Sequence, residues 1–269
     1  MKDYKTYIFD IDGTIVKQDE EVPGAIELVA YLKKQGKEVL YATNNPVTTK
    51  ERIAARLNQI GFLVNANQII TPLDALELYF HDRAIEPLFY GLVSQEVMTE
   101  LQQRGFLFSS SDNEKVTHVL LGMNNQLTYQ HFCEALFLLD QGAELLLLNG
   151  DLYCPVPKGR VPDSGALSFV LTAYIDERPD SVGKPTKWMQ RTILNRITTE
   201  NRDCLFIGDS LQSDIQIGHA MGMDTCLVES GISDFRKKVS HSTITPTFIM
   251  KNCEQLQCVI QKTKESSNV

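Results

Sequence analysis

Residues 7–14 read Tyr7-Ile8-Phe9-Asp10-Ile11-Asp12-Gly13-Thr14. Three apolar residues make a run too short for a helix, and it ends in two aspartates, a glycine and a threonine. The stretch predicts a short buried strand that delivers Asp10 and Asp12 to its C-terminal end, where Gly13 turns the chain. Side chains alternate along a strand, so residues two apart leave on the same side. Two carboxylates this close repel, and they call for a cation, a shared proton or divided roles. A solvated Asp-Gly turn closing a strand is the plain alternative.

The neighbouring sequence alternates strand and helix signals. From Pro23, Ile26, Val29, Ala30 and Leu32 recur at helical spacing until Gly36. Residues 38–42 read as a buried strand ending at Thr43-Asn44-Asn45-Pro46. A second helix follows, with Ile53, Ala54, Leu57 and Ile60 on one face and Gly61 at its end; Ile69-Ile70 and a helix from Pro72 complete the segment. This rhythm predicts an α/β fold with a parallel sheet covered by helices. Right-handed crossovers place its strand-to-helix loops on one edge.

Residues 81–178 carry a second α/β pattern. Its strands are expected at 88–90, 116–121 and 144–148, its helices at 94–104, 128–140 and 164–175. Between them lies a loop bounded by Pro155, Pro157 and Pro162 that also holds Lys158, Gly159 and Arg160. About a hundred residues suffice for a small domain. After Pro179 the first pattern returns: a helix from Thr186, a strand at 204–207, the loop Gly208-Asp209-Ser210, another helix, and strands at 225–228 and 248–250. The polar tail from Lys262 is expected to fray. The predicted organisation is a core of residues 1–80 and 179–269, split by an inserted domain at 81–178.

Composition narrows the function. The chain has 269 residues, 26 Lys+Arg against 34 Asp+Glu and a formal charge of -8. That balance argues against nucleic acid and anionic membrane surfaces as partners, both of which demand a basic face. It leaves room for a small anionic substrate, because a bound cation inverts the local field. The densest apolar patch, residues 145–148, is far too short to span a membrane, and the N-terminus shows no signal-peptide core. Cys133, Cys154, Cys204, Cys226, Cys253 and Cys258 show no CxxC pairing. They read as small core residues in a reducing cytoplasm.

Three further loops follow the grammar of the first. Thr43-Asn44-Asn45 offers a hydroxyl, amides and backbone N–H groups to an anionic oxygen, or simply a turn and helix cap before Pro46. Gly183-Lys184-Pro185 precedes a helix and presents Lys184 either to a phosphate or to solvent. It lacks the first glycine and the following hydroxyl of a Walker A loop. Gly208-Asp209-Ser210-Leu211-Gln212-Ser213-Asp214 places Asp209 and Asp214 five apart across a loop into a helix. Their hard oxygens suit Mg²⁺, although an Asx turn and a first-turn acid account for the same residues locally. All four loops can meet at one sheet edge, the usual ligand site of open α/β folds. Together they supply the parts for Mg²⁺-assisted phosphoryl transfer.

In this order, Asp-x-Asp-Gly-Thr, Thr-Asn-Asn, Gly-Lys-Pro and Gly-Asp-Ser-x-x-x-Asp resemble the signatures of the haloacid dehalogenase superfamily. The insert between the second and third resembles the large cap of its NagD-like phosphatase branch, as do Asn149-Gly150-Asp151 and Asp163-Ser164-Gly165-Ala166-Leu167. The resemblance runs from Tyr7 to about Gly231. It implies a Rossmann-like core with an inserted cap. Two departures, Lys17-Gln18-Asp19-Glu20-Glu21 before Pro23 and Ser213 in place of a common threonine, bear on substrate fit more than on chemistry.

Carried over by position, the resemblance implies that Asp10 attacks phosphorus and forms an aspartyl-phosphate. Asp12 protonates the leaving alcohol and then activates water. Thr43 and Lys184 hold the phosphoryl oxygens. Mg²⁺ is implied at the Asp10 carboxylate, the Asp12 backbone carbonyl and Asp209, with Asp214 close by. Substrate contacts are expected from Asn44, Asn45, Asn149, Asp151, Lys158 and Arg160, the last four on a lid that excludes water and reads the leaving group. The implied partner is a small phosphorylated metabolite, and the insert's own sheet permits a homodimer through the cap. A phosphomutase on the same fold and a non-catalytic phosphate-ligand-binding protein are the alternatives.

Overall fold

The computed structural model describes residues 1–156, 158–173, 178–230 and 244–267, the last four of these by backbone alone. Pro157, Gly231 and the end of the helix expected at 164–175 lie outside the described residues. The chain divides into two compact units. One takes in Met1–Thr43, Lys50–Ile70 and the chain from Ile193; the other takes in Asn44–Thr49 and Thr71–Thr192.

In chain order the elements are β1 (Thr6–Phe9), β2 (Val16–Lys17), β3 (Glu20–Glu21), α1 (Ala25–Lys34), β4 (Glu38–Ala42), α2 (Lys50–Ile60) and β5 (Ile69–Ile70). The second unit adds α3 (Pro72–Arg83), β6 (Leu88–Leu92), α4 (Gln95–Gln103), β7 (Leu107–Phe108), β8 (His118–Leu121), α5 (Tyr129–Asp140) and β9 (Glu144–Leu147). It continues with β10 (Tyr153–Val156), β11 (Gly159–Pro162), α6 (Ser164–Thr172), β12 (Asp180–Ser181) and α7 (Lys187–Leu194), whose end enters the first unit. The first unit then resumes with β13 (Cys204–Gly208), α8 (Gln216–Ala220), β14 (Asp224–Val228), β15 (Phe248–Met250) and α9 (Cys253–Ser267).

The first sheet runs β15-β14-β13-β1-β4-β5, all parallel. The chain starts at β1, steps outward through β4 and β5, and later returns to the other flank through β13. The direction of progress therefore reverses at β1, the arrangement that opens a crevice at the C-terminal strand ends. All four residues of β1 are buried, as its apolar composition demands. Helix α1 buries Ala25, Leu28, Val29 and Leu32, and α2 buries Ile53, Ala54 and Leu57. The predicted face of α1 is thus shifted by part of a turn, with Ala30 left exposed.

The second sheet runs β12-β9-β8-β6-β7 and is also parallel. Its core gathers Leu92, Val119, Leu121, Ala135, Leu138 and Leu171. The expected proline loop is largely an antiparallel hairpin of β10 and β11.

Two expectations need correction. The tail from Lys262 continues α9 to Ser267, because Cys253, Leu256 and Ile260 anchor that helix in the first core. The cysteines are not uniformly interior. All six are free thiols, but Cys133 and Cys154 are half-buried and Cys258 is exposed. The buried Cys253 thiol is pushed up to about 12 by desolvation, which removes it as a nucleophile. No helix among the described residues is long and apolar enough to cross a membrane.

Candidate active site

The site is built at the C-terminal edge of the first sheet. In the parallel pairing of β1 with β13, Phe9 lies beside Ile207, so the residues that follow leave two adjacent strands at the same level. Asp10 continues the ladder by donating its N–H to the Ile207 carbonyl at 2.8 Å. Asp209 follows the last residue of β13. Beyond it the chain makes one wide helical turn, Leu211–Ile215, capped by the Ser210 hydroxyl, which accepts the Ser213 N–H at 3.3 Å. That turn carries Asp214 back to the strand end.

Asp10, Asp209 and Asp214 each present a carboxylate oxygen within 4.8 Å of the others. Asp10 and Asp214 are buried and Asp209 is half-buried. Asp10 Oδ2 accepts a hydrogen bond from the Thr14 hydroxyl at 3.0 Å, and Asp214 Oδ2 accepts the Ser210 N–H at 3.0 Å. Two glycines make the convergence possible. A Cβ on Gly208 would lie 2.2 Å from the Asp214 Cβ, and one on Gly13, whose φ is +99°, would lie 2.4 Å from Asp209 Oδ2. Three hard carboxylates within one ion's reach, in a cradle that only glycine leaves open, fit a divalent cation of the Mg²⁺ type.

Thr43 follows β4, the other neighbour of β1, and is buried. Its N–H donates to the Ile70 carbonyl at 3.0 Å. Asp12 lies outside the carboxylate trio. Its Oδ1 accepts both Nη1 and Nη2 of Arg56, each at 3.0 Å. Arg56 does not stand out in the sequence, being 44 residues from Asp12 on a polar helix face.

The other predicted residues belong to the second unit. Asn44 is the hub of a clamp. Its Oδ1 accepts the Lys184 N–H at 2.6 Å, and its Nδ2 donates to Asp151 Oδ2 at 2.9 Å and to the Lys184 carbonyl at 3.1 Å. Asn149 is fully buried and donates to the Asn44 carbonyl at 2.8 Å and to Asp163 at 3.3 Å. The amides of Asn44 and Asn149, expected at the substrate, thus have interior partners that fix the loops around Lys184, which is itself buried. Gly183 is required here, since a Cβ would lie 2.7 Å from Asn44 Oδ1. Burial pushes the Asp163 carboxyl above its ordinary range, against the pull of its bonds to Ser164 and Asn149. Asn45 Oδ1 accepts the Val47 N–H at 3.0 Å. Lys158 and Arg160 are exposed on the hairpin, and the Arg160 guanidinium stacks over the Tyr153 ring at 4.4 Å.

Comparison with known proteins bears on the family and the fold. Residues 7–107 match the family described as haloacid dehalogenase-like hydrolase, and residues 181–256 match HAD-hydrolase-like. The chain is 28% identical over 262 residues, 97% of its length and 100% of the relative's, to the acid sugar phosphatase of Staphylococcus saprophyticus. NagD from Escherichia coli K-12 superposes with a TM-score of 0.82 at 26% identity, covering 94% of this chain and 98% of that one. The p-nitrophenyl phosphatase of Archaeoglobus fulgidus has the same fold, with a TM-score of 0.87 at 23% identity over 96% of this chain and 100% of that one. The chain belongs to the haloacid dehalogenase-like hydrolases, in their NagD-like phosphatase branch.

Proposed function

We propose that the protein is a cytoplasmic Mg²⁺-dependent phosphatase that hydrolyses a small soluble phosphomonoester through an aspartyl-phosphate on Asp10. The observation that carries this reading is the convergence of Asp10, Asp209 and Asp214 at the end of β1. The printed names of the relatives, acid sugar phosphatase and p-nitrophenyl phosphatase, favour a sugar phosphate as the natural ester and p-nitrophenyl phosphate as a useful probe.

In this reading an Asp10 carboxylate oxygen attacks phosphorus, and the ester P–O bond breaks with its electron pair leaving on the alcohol oxygen. Asp12 gives that oxygen a proton. It then takes a proton from water as the water oxygen attacks the aspartyl-phosphate, which frees Asp10 and inorganic phosphate. Thr14 orients Asp10 through the hydroxyl bond to Oδ2. Thr43 and Lys184 are assigned to the phosphoryl oxygens. Asp10, the Asp12 carbonyl, Asp209 and Asp214 would hold Mg²⁺, which supplies charge neutralisation for two anions brought together. Residues 81–178 are assigned as the lid, with Lys158 and Arg160 as contacts for the leaving group. Asn44, Asn149 and Asp151 serve by fixing the loops from which substrate is bound.

The test is phosphate release from a panel of sugar phosphates and p-nitrophenyl phosphate, with Mg²⁺ and with EDTA. Steady release with Mg²⁺ that EDTA stops reversibly is expected. Release that is undiminished in EDTA contradicts the metal assignment, and a product that retains the phosphoryl group on substrate points to a mutase.

A further inference from the structure

We infer that Arg56 is a positioning residue that aims the Asp12 carboxyl at the leaving-group oxygen; this rests on the phosphatase reading above. The residue lies outside all four sequence signatures, yet its guanidinium sits against the Asp12 carboxylate. Its two terminal nitrogens converge on Asp12 Oδ1 at 3.0 Å each. Nη2 also donates to the Gln18 carbonyl, and Nε donates to Asp19 Oδ1 at 3.2 Å. Gln18 has φ +59° and forms the turn between β2 and β3, which pair antiparallel. One guanidinium on α2 therefore fastens the hairpin tip and the Asp12 side chain together.

That fastening matters because of where Asp12 stands. It precedes a left-handed glycine, and its side chain is 41% exposed, so burial does not fix its rotamer. Asp10, by contrast, is held by buried neighbours. A proton donor has to be within hydrogen-bond reach of the atom it serves. The planar fork of arginine is suited to pinning one carboxylate oxygen in a set direction, and lysine lacks that geometry. An ion pair this exposed adds little to stability, so the effect of removing it belongs in turnover.

The choice of ester separates positioning from structure. Nitrophenolate departs without a proton, whereas the alkoxide of a sugar phosphate needs one as the P–O bond breaks. kcat/KM reports the steps up to departure of that group. Arg56→Ala is expected to lower kcat/KM for a hydrolysed sugar phosphate by about tenfold to a hundredfold, while the value for p-nitrophenyl phosphate changes less than about threefold. Arg56→Lys is expected to fall between the wild type and Arg56→Ala on the sugar phosphate only. In an Asp12→Asn background, Arg56→Ala should add no further selective loss. Equal losses on the two esters, or no loss on either, overturn the inference while leaving the phosphatase reading intact. A wild-type protein that releases phosphate from neither ester overturns both.

Discussion

The two sheets are built to one plan and do different work. In each, the chain enters at an inner strand, β1 or β6, steps to one side and later returns to the other, so both have a reversal point at their C-terminal edge. At the first edge the residues after the strands are Asp10, Thr43 and Asp209. At the second edge they include Ser94, Gly122 and Asn149. Ser94 caps α4 by accepting the Val97 N–H at 3.2 Å, and the Asn149 amide is held by the Asn44 carbonyl, the Asp163 carboxylate and the Asp151 N–H. The same topology thus yields a carboxylate cluster in one place and a set of loop fasteners in the other. A reversal point supplies a crevice, but carboxylates and a glycine gap decide whether it holds chemistry.

The contrast can be broken most severely at Asp10. Asp10→Asn keeps the shape and removes the proposed nucleophile, and phosphate release should fall by at least about a thousandfold with an unchanged melting temperature. Next come Asp209→Asn and Asp214→Asn. Each should raise the Mg²⁺ concentration needed for half-maximal activity by about tenfold or more, read from a Mg²⁺ titration. At the second edge the same kind of change should act on folding instead. Asn149→Ala leaves the Asn44 carbonyl and the Asp151 N–H without their partner, and should cost about 1–3 kcal/mol in urea unfolding with the Mg²⁺ requirement unmoved. The smallest effect is expected from Ser94→Ala, about 1 kcal/mol for a lost helix cap. A shift in Mg²⁺ dependence from either of the last two would erase the distinction between the edges.

The sequence made the carboxylate cluster legible because its members end strands, and parallel pairing carries strand ends to one level. Asp10 and Asp209 needed only that rule, and Asp214 needed one helical turn more. Arg56 was not legible, since a surface arginine on a polar helix looks the same whether it faces solvent or the Asp12 carboxylate. Asn44 and Asn149 were legible as important, but their long-range partners, the Lys184 backbone and the Asn44 carbonyl, were not. An amide that binds a ligand and an amide that clamps backbone have the same local sequence, and only the long-range partners tell them apart. The end of α9 was missed for a related reason: Lys262 onward is polar, but the helix is held by Cys253, Leu256 and Ile260 upstream.

The central claim is that Asp10 is the nucleophile, and chemical trapping tests it most directly. The Mg²⁺-loaded protein, mixed with a hydrolysed ester and quenched with borohydride, should carry homoserine at position 10, since an acyl phosphate is reduced there and a free carboxylate is not. Peptide mass spectrometry reads the position. Homoserine at residue 10, dependent on substrate, is the predicted result. Continuing phosphate release with no reduction at Asp10, or with reduction at another aspartate, would contradict the account.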